Sequence, residues 1–209
     1  MKIAGPTTTI TDYILAAENV VLAILLIRNG WSTGQTSVKL WGFSFFALAV
    51  AAVAGGTYHG FIHSMGPLQS QAVWKITLYS IGVTTFLMLS AVFLVALPHP
   101  WRNIFVGLAV LQWIVYSIWM TTHDDFKYVI YSYAPAMLII LATGVAGYYT
   151  GSVQGGLWLA GAVLVSFAGA LVQQSGLSLH RNFNYNDIYH VIQMIAMLLF
   201  YRGGLTLRQ

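Results

Sequence analysis

The stretch Ala47-Leu48-Ala49-Val50-Ala51-Ala52-Val53-Ala54-Gly55-Gly56-Thr57-Tyr58-His59-Gly60-Phe61-Ile62-His63-Ser64 decides the fold. It closes an apolar run that begins near Lys39 and is long enough to cross a lipid bilayer as a helix. Its last turns carry two histidines four residues apart, which helical geometry places on one face. Ionisable side chains are expensive at membrane depth, so a polar turn at the end of such a run reads as a functional site.

The rest of the chain agrees with a lipid environment. Charged residues make up 7% of it, against about a quarter in a soluble domain. With 58% hydrophobic residues and a mean hydropathy of +0.73, the expectation is a polytopic, integral membrane protein of a cell membrane. The nine Lys and Arg residues are scattered singly, without the basic stripe that tracks phosphates, so a nucleic-acid partner is not expected. The absence of cysteine excludes disulfides, thiolate metal ligands and cysteine nucleophiles. After Met1-Lys2 comes Gly5-Pro6 and a threonine run, not the pattern of a cleaved signal peptide.

Spans of about 20 apolar residues fall near 9–28, 39–64, 70–97, 101–121, 126–149, 155–175 and 184–203. Between them lie turn-forming breaks such as Arg28-Asn29-Gly30, Gly66-Pro67 and Pro98-His99-Pro100. This predicts an all-α fold, a single seven-transmembrane-helix bundle over 1–209 in which sequential helices are antiparallel neighbours. Arg28, Lys39, Arg102, Arg202 and Arg208 fall on the C-terminal side and Lys2, Lys127 and Arg181 on the other. The positive-inside rule then puts the N-terminus outside and the C-terminus in the cytoplasm.

With that topology the acids Asp12, Glu18, Asp124, Asp125 and Asp187 all lie in the N-terminal-side half, together with His59, His63, His123, His180 and His190. Carboxylates and imidazoles gathered at one face suggest cation ligation or acid–base chemistry; wetter loops there are the plainer explanation. His59 and His63 are spaced to share a metal, unless His63 stands at the water interface. On the last span Asn186, Asp187, His190 and Gln193 form a polar stripe at three- and four-residue spacing. Asp187 is placed to orient the His190 imidazole, or to close a capping box with Asn184. Glu18, two turns inside the first span, needs a partner, either Lys75 or the histidine cluster. Thr57, Thr77 and Ser80 are polar positions on the second and third spans.

These residues resemble the pattern of the CREST group of seven-helix membrane proteins, which includes the alkaline ceramidases and the progestin and adiponectin receptors. That group has a serine four residues before a histidine on its second helix, an aspartate early on the third, and His-x-x-x-His on the seventh. His59 matches the second-helix histidine and His190 the second histidine of the last helix, while Lys75-Ile76-Thr77-Leu78-Tyr79-Ser80 is similar to the start of the third helix. Gly55 stands at the serine position, Thr77 or Leu78 at the aspartate position and Asn186 at the first histidine. The resemblance implies a zinc ion that activates water against a lipid amide or ester, with the site toward the outer leaflet. Its ligands would be His59, His190 and a third from His63, Asp187, Glu18 or His180. Asp187 or Glu18 would act as catalytic base, with Asn186, Gln193, Thr57, Thr77 and Ser80 around the substrate. Two other readings stand beside this hydrolase: a non-catalytic seven-helix protein that binds a membrane lipid or signal, and a b-type cytochrome with His59 and His190 as axial ligands.

Overall fold

The computed structural model describes residues 3–208. Lys2, which enters the charge count for orientation, lies outside the described residues, as does Met1. Seven α-helices follow one another: α1 (Pro6–Ser32), α2 (Thr36–Phe61), α3 (Pro67–Ala96), α4 (Trp101–Thr122), α5 (Phe126–Thr150), α6 (Gly156–Ser175) and α7 (Tyr185–Gly204). Each covers one of the expected spans. The second expected span runs three residues past α2, because a short 3₁₀ turn, Ile62–Ser64, carries the chain on to Gly66.

The helix ends follow local chemistry. Pro6 and Pro67 open α1 and α3 at positions whose N–H has no helical partner. Asp125 caps α5, accepting from the Lys127 N–H at 2.9 Å. Gly151 and Gly176 close α5 and α6 at φ +75° and +68°, left-handed conformations that suit glycine.

Helices α1 to α6 are each long and apolar enough to cross a membrane by length and composition. Helix α7, with 20 residues, is less apolar because it carries the polar stripe. The side chains are sorted as lipid demands. Ile10, Ile14, Leu108, Val115, Ile118 and Leu164 face outward, while Thr8, Thr11, Asp12, Asn19, Asp187 and His190 are buried. This is a helical membrane bundle.

Packing runs around a ring: α1 on α2, α2 on α3, α3 on α5, α5 on α6, α6 on α7 and α7 back on α1. Helix α4 lies outside that ring against α3, and buries only Ala109, Tyr116 and Met120. The expectation that every sequential pair packs side by side therefore changes at α4 and α5. They touch through a few side chains, Gln112 with Ser132 and Trp119 with Tyr128, and the main neighbours of α5 are α3 and α6.

Candidate functional site

Helices α1 and α7 run parallel, as their hydrogen bonds show. Thr8 donates to Asp187 Oδ1 at 2.8 Å and Thr11 meets His190 Nδ1 at 2.8 Å, with a sequence separation of 179 both times. One turn on each helix supplies both contacts, since Thr8 and Thr11, like Asp187 and His190, are three apart. Asp12, next to Thr11, reaches the opposite edge of the ring, with Oδ1 at 3.2 Å from His190 Nε2. Two consecutive α1 residues thus hold the imidazole between a hydroxyl and a carboxylate.

The proton count in this cluster is constrained. Thr11 has one hydroxyl proton and two acceptors in reach, the Thr8 carbonyl at 3.0 Å and His190 Nδ1. If the proton goes to the carbonyl, Nδ1–H must donate to Thr11, and the bare Nε2 then needs a proton between itself and Asp12. If it goes to Nδ1, the neutral ring carries its proton on Nε2, facing Asp12. Both arrangements leave one proton between Asp12 and His190. The other Asp12 oxygen, Oδ2, is buried and has no hydrogen-bond partner among the described residues, although the residue is only 5% exposed.

Asp12 can enter this position because α2 offers almost no side chain there. A Cβ on Gly56 would lie 2.7 Å from the Asp12 Cβ, so α1 and α2 could not approach as they do. A Cβ on Gly55 would look toward Thr77 at 3.8 Å and Asp12 Oδ1 at 4.0 Å. The space beside Gly55 and Thr77 is thus faced by a carboxylate from α1.

Of the arrangements open to Asp187 in the sequence, its contacts are those of the capping box rather than of a partner to the His190 ring. Its Oδ1 takes the Thr8 hydroxyl and its Oδ2 the Asn184 N–H at 2.7 Å, while Asn184 accepts from the Asn186 N–H at 2.8 Å. This is the capping box, and both carboxylate oxygens are used to fix the start of α7 against α1. Orientation of His190 falls to Thr11 and Asp12. Those two residues, with Thr8, are what sequence reasoning missed. The available signal was their three- and four-residue spacing, which complements the stripe on α7.

The remaining candidates are spread out. His59 is half-buried and lies edge-on to the Tyr58 ring with centroids 5.9 Å apart; its ring makes no hydrogen bond among the described residues. His63 is exposed in the middle of the 3₁₀ turn, and His180 is exposed, accepting from the Asn182 N–H. Glu18 has a buried, unpartnered Oε2 and joins neither expected partner. The Lys75 ammonium instead donates to the Met120 and His123 carbonyls at the end of α4. Asn186 accepts from Gln173, and Gln193 exchanges hydrogen bonds with Ser166. Thr57 and Thr77 bond back to the α2 and α3 backbones, and Ser80 offers its carbonyl to Thr84.

Zinc would need about four N or O donors converging at roughly 2.0–2.2 Å. Imidazole and carboxylate are the right donor types. Among the described residues, however, no three of His, Asp and Glu are grouped so as to hold one ion, and both His190 nitrogens are engaged. As placed, the side chains do not fit a zinc centre.

Beside the cluster lies a largely apolar cavity of about 220 Å³ inside the ring, bordered by Leu15, Ile130, Tyr133, Phe167, Tyr189 and Gln193. Leu15 is one turn from Thr11, while Tyr189 adjoins His190 and Gln193 follows it by three residues. Thr11, Asp12 and His190 do not themselves line it; the cavity begins about one turn along α1 and α7 from the pair, at Leu15 and Gln193.

No curated protein and no solved structure matches the chain. Residues 7–209 match the model of a family of unknown function, DUF6962, and with nearly the whole chain covered the protein belongs to that family.

Proposed function

We propose that this protein is an intramembrane hydrolase of a lipid amide or ester, with Asp12 and His190 as its acid–base pair. The observation that carries this reading is the buried Asp12–His190 contact, with one carboxylate oxygen unpartnered, about one helical turn from an apolar cavity. A lipid chain in the cavity would bring its polar linkage toward the pair. The pair would take a proton from an attacking water and return it to the leaving amine or alcohol, the ordinary division of general acid–base work. In this reading all seven helices span a membrane, the N-terminus and the site face outside, and the C-terminus is cytoplasmic.

The test is release of fatty acid from short-chain amide and ester lipids by purified protein in nanodiscs. Asp12→Asn and His190→Gln should each lower the rate at least a hundredfold while eluting as folded, monodisperse protein. Undiminished turnover in both variants would refute the assignment.

A second reading, a non-catalytic lipid-binding protein, is supported by the same cavity and by the structural use of both Asp187 oxygens. It predicts stoichiometric lipid retained through purification and no release of fatty acid from any tested amide or ester. The expectation of zinc enters the same experiment. Stoichiometric metal, lost together with activity in a His59→Ala, His190→Ala variant, would show that the side chains rearrange around an ion.

A further inference from the structure

At the same end of the bundle, but outside the Asp12–His190 cluster, an open cleft of about 640 Å³ lies between the start of α3 and the loop from α4 to α5. Its walls include Tyr58, Pro67, Ser70, Trp74, Asp124 and Phe126. Three of these side chains are aromatic and adjoin one another. The Trp74 ring lies 4.9 Å from Tyr58 and 6.1 Å from Phe126, with planes turned by 36° and 40°. Trp74 is held in place by its indole N–H, which donates to the Asp124 carbonyl at 2.7 Å.

The charges around this wall are unevenly committed. Asp125 is paired with Lys127 at 2.8 Å and also caps α5. Lys75, on the helix that carries Trp74, directs its ammonium to the end of α4. Asp124 is exposed, and its carboxylate has no hydrogen-bond or ion-pair partner among the described residues. No lysine or arginine lines the cleft. Aromatic faces attract cations through their quadrupole, and bulky, weakly hydrated ammonium groups lose least by leaving water to meet them. A free carboxylate beside such a wall adds the matching charge, without the strong hydrogen-bond donors that would favour an anion.

We infer that the Tyr58–Trp74–Phe126 wall with Asp124 is a binding site for a quaternary ammonium group, supplied by a free solute or by the headgroup of a choline lipid. Phe126 also borders the inner apolar cavity, but binding of the ammonium group asks nothing of Asp12 or His190. It would hold a positively charged methylated head at the membrane surface near His59, whose ring abuts Tyr58.

Calorimetric titration of tetramethylammonium and choline into the detergent-purified protein tests this, with 3,3-dimethylbutan-1-ol as the neutral isostere of choline. Saturable binding of both cations, at least tenfold tighter than the isostere, is expected. Asp124→Asn and Phe126→Leu, both at exposed positions, should each weaken it about tenfold, and Trp74→Ala more. Repetition in nanodiscs separates the sources. Phosphatidylcholine discs that suppress the titration, where phosphatidylglycerol discs do not, identify the lipid headgroup; equal titration in both identifies a free solute. Absence of saturable binding, equal affinity for the isostere, or unchanged affinity in the Asp124 and Phe126 variants overturns the proposal, whether or not the protein hydrolyses lipid.

Discussion

The two ends of the α1–α2–α7 contact are built on opposite terms. At the end formed by the start of α2 and the finish of α7, Trp41 is fully buried against Phe200, with ring centroids 5.8 Å apart, and donates its indole N–H to the Phe200 carbonyl at 3.0 Å. Gly204 leaves room for that indole, since a Cβ there would lie 2.2 Å from its ring. The Ser37 hydroxyl is bonded to the Leu207 carbonyl. At the other end the same helices gather Thr8, Thr11, Asp12, Asp187 and His190 and leave one carboxylate oxygen unpartnered, with a cavity about one turn further along α1 and α7. A fully packed end can set the positions of the helices, and the opposite end can then hold polar groups that would not assemble by themselves. Stability concentrated in one place and tolerated disadvantage in another is the usual mark of a functional site.

The largest expected effect breaks the packed end. Trp41→Ala should cost on the order of 3–5 kcal/mol, by analogy with large-to-small core substitutions, seen as a marked loss of thermal stability in detergent. A melting curve like the parent's would remove the packed end from this comparison. Gly204→Val should cost about 1–3 kcal/mol through overpacking against Trp41, and Trp41→Phe in the same chain should recover part of it. At the polar end, Asp187→Ala strands the Thr8 hydroxyl and the Asn184 N–H, a loss of about 1–3 kcal/mol, measurable by the same melting. Asp12→Asn sharpens the contrast, because it keeps the shape and removes a buried carboxylate with an unpartnered oxygen. Its melting temperature should equal or exceed the parent's while hydrolysis falls; a large loss of stability would mean that Asp12 is structural.

The smallest effect is one of pH at the surface. The Lys127 ammonium and N–H beside Asp125 hold its carboxyl below the usual carboxylate value of 3.8. A depressed folded-state pKa gives stability that is present above the unfolded value and lost as pH falls through the folded one. The parent and Asp125→Ala should therefore keep a constant difference in melting temperature above about pH 5, and converge only in stronger acid. Convergence already near neutral pH would contradict the pairing.

The apolar spans were legible in the sequence because each needs only its own composition, and His190, Asp187 and Gln193 were legible as a stripe because one helix has one period. The capping box at Asn184 and Asp187 was also visible as an alternative, being local. Asp12 was not recognised as the partner of His190, since the pairing depends on α1 and α7 lying parallel 179 residues apart in sequence. The His59–His63 spacing was legible too, but spacing alone does not say how deep each ring lies: the 3₁₀ turn that follows α2 leaves His63 exposed while His59 is half-buried.

By itself the sequence determined that this chain is a helical membrane bundle, since composition and run length act on every residue independently of its distant neighbours. It also marked the end of the second span, with His59 and His63, as a polar turn at membrane depth. Only the tertiary structure decided what approaches it. Two glycines without side chains admit α1 and bring Asp12 to face His190, and the parallel register of α1 and α7 turns two ordinary polar stripes into one buried acid–base pair. That register is set by packing across the whole bundle, including the Trp41 end, and no local pattern encodes it.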